Sequence, residues 1–407
     1  MKRLTQDFFH TPHAIYDELR AEGPVHHVIL PTGLPAWLVV EYDAVREVLR
    51  NPTVRKDPYS PEGIAAREAA SGLTVSDAVV RKLNNHMLNA DPPTHTRLRK
   101  LVTPAFAPAR MEELAPRIRA ITDELLDRIA GTTGTVDLLG EFAFPLPVTV
   151  ICELLGLPVE DRDDFREWSA AVIDSPAVHK DEVERVTVTM IEYFERLIAR
   201  RRVEGLGDDL VSQLIAATDD GDRLNDEELI STIFLILVAG HETTVNLIGN
   251  TVLTLLSDPA RYRAVHDNPD AVPQLIEEML RYNGPVNIAT WRYTTEPITL
   301  GGTEIPAGEL VLAALGSANH DEHRYADAAE FDPARGAANH VAFGYGIHFC
   351  LGAGLARMEG RIAITQLVQR FPDMRLAADA DPRWRESTLI RGLHDLRVEL
   401  AGAPALR

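Results

Sequence analysis

A chain of 407 residues with 41 basic and 61 acidic side chains carries a net charge of −20, which argues against nonspecific binding to the phosphates of nucleic acid. Two cysteines build no disulfide framework, as suits a reducing cytoplasm. The polar start, Met1 to Asp7, has no signal-peptide pattern, and the most hydrophobic run, Ile233 to Ala239, falls far short of the ~20 residues that cross a bilayer, so no membrane insertion is expected.

In chain order, a short amphipathic helix ends near Gly23-Pro24, and His27 to Leu30 with Ala36 to Val40 read as a strand pair. Asp57 to Val75, rich in Pro, Ser, Gly and Ala, reads as a loop, and so does Ser175 to Asp181. Helical spacing covers Pro92 to Phe106, with Asp91-Pro92 as cap and first turn, then Pro108 to Ile129, Pro145 to Leu155 and Asp181 to Arg202. A long helix over Asn225 to Leu256 starts at a cap-forming Asn followed by Asp226, Glu227 and Glu228, and another covers Asp270 to Tyr282. Ile298-Thr299-Leu300 and Thr303-Glu304-Ile305, joined by Gly301-Gly302, predict a tight hairpin, and Val311 to Leu315 a further strand. From Leu351, the residues Leu355, Met358, Ile362, Leu367, Val368 and Phe371 continue an apolar helical stripe. The expected class is mainly α with a smaller β part around residues 25–56 and 286–316. The motifs described next are scattered along the chain and must converge on one site, which predicts a single domain over residues 1–407.

Three constellations carry chemistry. Phe343-Gly344-Tyr345-Gly346-Ile347-His348-Phe349-Cys350-Leu351-Gly352 sets one cysteine at a helix start behind a glycine-jointed loop, where amide N–H groups can be aimed at sulfur and a thiolate can hold a metal. An inert buried cysteine is the plain alternative; zinc shared with His348 fails for want of four ligands, because Cys152 has no partner spacing. On the long helix, Ala239-Gly240-His241-Glu242-Thr243-Thr244 interrupts an apolar run. Glu242 needs solvent or a partner, Gly240 leaves room beside the helix, and Thr243 can bond the preceding turn or a ligand. The zinc-protease pattern that His241-Glu242 begins is broken by Val245, where a second histidine would stand. Finally, Glu278 and Arg281 share a helix face, a pair worth about 0.2–0.5 kcal/mol if exposed.

The cysteine segment matches every fixed position of F-G-x-G-x-H-x-C-x-G, and with the 239–244 run and Glu278-x-x-Arg281 the chain resembles the cytochrome P-450 superfamily, in particular the soluble bacterial branch that tailors macrolides and other natural products. The resemblance covers nearly the whole chain. It implies a long helix over haem b, with Cys350 as the axial thiolate, Phe343 beside the sulfur, Gly344 and Gly352 shaping the loop, and His95, Arg99, Arg292 and His348 on the haem propionates. It implies Glu242 and Thr243 as the acid and alcohol that relay protons to O2, the co-substrate, and Glu278, Arg281 and Arg335 as a charge network behind the cysteine loop. The implied substrate pocket draws on Val238, Ala239, Val286, Asn287, Ile288, Ala289 and Ile390, together with residues 85–88 and the 170s; this lining is mostly apolar or small. The expected reaction is insertion of one oxygen atom into an unactivated C–H bond, or epoxidation, of a bulky hydrophobic natural product, first a polyketide macrolide and otherwise a steroid, terpenoid or cyclic peptide. A non-catalytic haem sensor or carrier is the reading from another class. No reductase domain is appended, so a ferredoxin and its reductase are expected as electron donors, docking on Arg97, Arg99, Lys100, Arg110 and Arg357; a monomer is expected.

Overall fold

A capping box sets the start of the longest helix, Asp226–Leu256: the Asn225 side chain accepts from the Glu228 N–H, and the Glu228 carboxylate accepts from the Asn225 N–H, both at 2.9 Å. The computed structural model describes residues 1–71, 82–173, 180–219, 222–337 and 339–400. In it this helix packs against helices Pro145–Leu155, Val272–Asn283 and Ala353–Arg370. By length and composition it would pass for a membrane span, with mean hydropathy 1.4 in its most apolar window, yet 72% of that window is buried inside the protein. Reading only the uninterrupted apolar run misses this, because a helix enclosed by other helices is apolar nearly all round.

The β part is a six-stranded sheet in the order Lys2–Arg3, Val25–Ile29, Pro35–Val39, Leu310–Ala313, Arg292–Thr294 and Val54–Arg55. The expected strand pair is present slightly earlier than read, antiparallel with Val25 opposite Val39. Alternate side chains face opposite ways. Val39, Val311 and Ala313 pack with Val45 and Leu49, whereas Leu38, Leu310 and Leu312 pack with Phe8, Tyr16 and Ile288. The separate hairpin pairs Thr303 with Leu300, and its two turn residues, Gly301 and Gly302, both have left-handed φ (53° and 84°), the backbone that a two-residue turn of matching twist requires.

Two expectations are corrected. The segment read as a loop from Asp57 is helical over Pro61–Ser71: the Ser60 hydroxyl accepts from the Gly63 N–H at 2.9 Å, Pro61 opens the first turn and alanines follow, so residues read as loop-formers act as cap and helix-formers. The remainder of that stretch, 72–75, lies outside the described residues, as do 175–179 of the second loop, which is followed by the helix Lys180–Glu204. The Asp91 side chain caps no helix among the described residues: its carboxylate accepts from the N–H groups of Lys56 and Asp57, both at 2.9 Å. The helix after it is the shorter Thr94–Val102, and Pro104 leads into a 3-10 turn, Thr103–Phe106.

Candidate active site

The cysteine loop is folded as its glycines allow. Gly344 and Gly346 adopt φ of 73° and 76°, the Cys350 N–H donates to the Phe343 carbonyl at 2.9 Å, and the helix Ala353–Arg370 begins after Gly352. The Gly352 N–H donates to the sulfur. Burial pushes the thiol above its ordinary value, against the opposing pull of that N–H and of Arg99 and Arg357. Yet the same side chain is solvent-exposed. A group that is deep and still open faces an internal void. Phe343 is held under the Arg357 guanidinium at 4.5 Å, and Arg357 makes two bonds to Glu277, at 2.6 and 2.9 Å. His340 bonds the same carboxylate at 3.2 Å. Burial raises the Glu277 pKa, but the bonds from His340 and Arg357 outweigh it and bring the carboxyl down to about 2.

Glu278, Arg281 and Arg335 do come together. The Glu278 carboxylate takes both Nε and Nη2 of Arg281, at 2.8 and 2.7 Å, in a pair with both side chains at 0% exposure. The remaining Arg281 N–H groups donate to the carbonyls of Asn319, Ala328 and Glu330, and Arg335 Nε lies 3.5 Å from Glu278. The fork ties the helix Val272–Asn283 to the strand-poor segment that precedes the cysteine loop.

A group of cations and imidazoles gathers at the same void. The His95 and His348 rings meet at 4.4 Å, and among the described residues the buried ring nitrogens of His95 have no side-chain partner. Arg99 donates to the Phe349 carbonyl at 2.8 Å, and the buried Arg292 to the Thr290 carbonyl at 2.9 Å. Burial, then the nearby Lys56, His95, Arg292 and Arg99, drive the His348 pKa far down. Burial also lowers Arg292, to about 10. Positive groups that depress one another, with imidazoles among them, fit a ligand that brings negative charge. An open deep thiol beside them fits a metal in that ligand. The residues therefore fit haem, whose iron takes a thiolate and whose two propionates take cations.

On the long helix, Ala239 is exposed and Thr243 half-exposed amid buried neighbours, and the Thr243 hydroxyl bonds the Ala239 carbonyl at 2.9 Å. They share the open face. Gly240 does not serve it: a Cβ there would stand 2.8 Å from the Ile151 side chain, so this glycine permits close packing of helix Pro145–Leu155 instead. Glu242 is buried and ion-paired with Arg385, a residue the sequence reading did not single out. His241 is fully buried and structural: its Nδ1 donates to the Leu237 carbonyl at 2.7 Å, burial lowers its pKa, and so its Nε2, 3.8 Å from Glu242, offers a lone pair and no charge. Glu359, on helix Ala353–Arg370, is buried and bonded by Thr244, and burial pushes its pKa up to about 8.

Of the residues expected in a pocket, Val238 and Ala239 lie on the open stretch of the helix, and Val286 is half-buried and bridged to Ile390. Ala289 is half-buried and donates its N–H to Ala313. Two are corrected. Asn287 is turned to the Tyr16 hydroxyl, which it accepts at 3.1 Å, and Ile288 is packed at 2% exposure in the hydrophobic core that holds Phe8, Tyr16 and Leu38, which takes up its apolar side chain. The five basic residues expected as a docking patch are also engaged: Arg97 with Glu228 and Asp222, Arg110 with Gln213, Arg357 with Glu277, and Arg99 with the Phe349 carbonyl, while Lys100 is likewise not free.

Residues 7–383 match the family described as Cytochrome P450. The chain is a cytochrome P450. It is 49% identical over 387 residues to Cytochrome P450 107B1 of Saccharopolyspora erythraea, covering 95% of this chain and 94% of that one. With 6-deoxyerythronolide B hydroxylase of the same organism it shares 40% identity over 402 residues, covering 98% of each. Among solved structures, the P450 monooxygenase TamI bound to tirandamycin C superposes with a TM-score of 0.88 at 43% identity, covering 98% of this chain and all of that one. This P450 is accordingly a haem-thiolate monooxygenase that uses O2, mainly α with a smaller sheet part, and one that needs an external source of electrons.

Proposed function

We propose that this P450 hydroxylates a bulky, largely hydrophobic natural product of the polyketide macrolide class, with Cys350 as the residue whose thiolate would hold the haem iron. The observation that supports this most is the cysteine that is deep in the protein and still open, beside a cluster of cations and imidazoles that depress one another. When bound, the haem supplies the oxidising power for C–H insertion from O2. The protein's own part is to bind, orient and meter protons. His95, Arg99, Arg292 and His348 hold the propionates; Phe343, Gly344 and Gly352 shape the sulfur's surroundings; Glu278, Arg281 and Arg335 brace the segment before the loop. Thr243 presents a hydroxyl on the open face of the helix, and Glu242, when released from Arg385, can carry a proton to it from the Arg385 side.

The substrate class rests on the small and apolar side chains at the open face, Val238, Ala239, Val286 and Ala289, and on relatives that hydroxylate 6-deoxyerythronolide B or bind tirandamycin C. We assign residues 1–407 to one domain, the reducing agent to a ferredoxin with its reductase, the location to the cytoplasm and the working state to a monomer. The test is reduction under carbon monoxide, which should move the Soret band far to the red, followed by a spectral-shift panel of macrolides, steroids, terpenoids and cyclic peptides. Turnover of the best ligand with a surrogate ferredoxin system should yield product heavier by one oxygen atom. Type I shifts confined to small charged amino acids refute the substrate class, and reduction without any turnover favours a sensor.

A further inference from the structure

Lys56 is 2% exposed, and among the described residues its ammonium has one hydrogen-bond partner, the neutral Thr290 hydroxyl, at 2.5 Å. An unpaired ammonium in such a place costs several kcal/mol. Its electrostatic neighbours make matters worse. Arg292 acts on it directly, and Lys56 is the charge that weighs most on His348; it also acts on His86 and His95. Among the described residues the one acid acting on Lys56 is Asp91, and one of its oxygens is already committed to the backbone N–H groups of Lys56 and Asp57. Thr290 sets two of these cations side by side, since its hydroxyl accepts from Lys56 while its carbonyl accepts from Arg292. Sequence gave no hint of it, because Lys56 and Thr290 are separated by 234 positions.

We propose that Lys56, held in place by Thr290, is a further cation beside Arg99 and Arg292 at the haem-binding void and pairs with a haem propionate. The inference rests on the reading of Cys350 as the haem ligand. The ammonium supplies countercharge that the buried Arg292 cannot deliver alone, so the propionate is anchored from the β-sheet side as well as from helix Thr94–Val102.

The test uses purified holoprotein of wild type, Lys56→Met and Lys56→Arg. Ferric haem transfer to excess apomyoglobin should be about tenfold faster from Lys56→Met, equivalent to about 1.4 kcal/mol. The resonance Raman propionate-bending band should shift, and the midpoint potential should fall because ferric haem loses a nearby positive charge. Lys56→Arg should restore all three toward wild type. All variants should keep the red-shifted carbon monoxide Soret, which reports Cys350 independently. Should Lys56→Met not accumulate as holoprotein, Thr290→Val must show the same band shift with smaller haem loss. Unchanged haem transfer and an unmoved propionate band in Lys56→Met, or in Thr290→Val where that stands in, overturn the proposal while leaving the thiolate reading intact. A wild type without haem overturns both.

Discussion

Replacing Glu278 by Gln removes one charge from a pair in which both side chains are fully shielded from water. The Arg281 guanidinium stays behind, with three carbonyls and a neutral amide for company. Breaking a buried pair from one side costs about 3–5 kcal/mol, because the surviving ion has lost both its solvent and its partner. At about 2.1 cal/mol/K per residue, a 407-residue chain unfolds with an entropy of roughly 0.85 kcal/mol/K, so the expected fall in Tm is about 4–6 °C. Circular dichroism melts of holoprotein, with Soret loss followed in parallel, measure it. The control is Glu47→Gln, which breaks a pair of the same i,i+3 spacing whose side chains are 60% and 40% exposed and should move Tm by no more than about 1 °C. Equal shifts for the two variants would refute the reasoning, since they would make burial irrelevant to the pair.

Three further outcomes are expected. Glu242→Gln keeps the side-chain shape but cannot release a proton, so product formation should drop by about a hundredfold while the substrate-induced spectral shift persists, as read by single-turnover product analysis; an undiminished rate assigns the proton route elsewhere. Glu359 has a folded-state pKa raised to about 8 against 4.5 unfolded, so the folded state binds the extra proton across that interval and stability declines as pH climbs from about 5 to 8, by at most on the order of 5 kcal/mol. Glu359→Gln should flatten that part of the Tm-against-pH curve, and an identical slope in both proteins contradicts the assignment. Glu277 is the opposite case: lowered to about 2, it stabilises the fold above pH 4.5 and loses that contribution as acid protonates it between about 4.5 and 2. Glu277→Gln should therefore be less stable than wild type at pH 7 and close to it at pH 2, as urea titrations at the two pH values would show.

What could be read from the chain was what lies close together in it. The ten-residue cysteine loop, the Asn225 cap with its acidic first turn and the Glu278-x-x-Arg281 spacing each sit within one turn or loop, so residue type and interval suffice. The sheet part was legible because the strand pair and the Gly301-Gly302 hairpin are local. Partners fixed only by tertiary packing were not. Glu242 and Arg385 stand 143 positions apart, and Glu277 and Arg357 are separated by 80. Nothing in Gly240 said which side of its helix it would open, and it opened toward Ile151. Composition misled at Ser60-Pro61, where residues common in loops proved to be a cap and a first turn.

The cysteine loop leans on a much earlier part of the chain. The Arg46 guanidinium donates to the Tyr345 hydroxyl at 2.7 Å, and Gly346 lies so close to Leu49 that a Cβ would stand 2.8 Å from the Leu49 carbonyl oxygen. The shape of the Cys350 loop therefore depends on groups contributed from as far as 299 positions earlier as much as on its own glycines, so a change at Arg46 or Leu49 reaches the sulfur without touching the loop's own sequence.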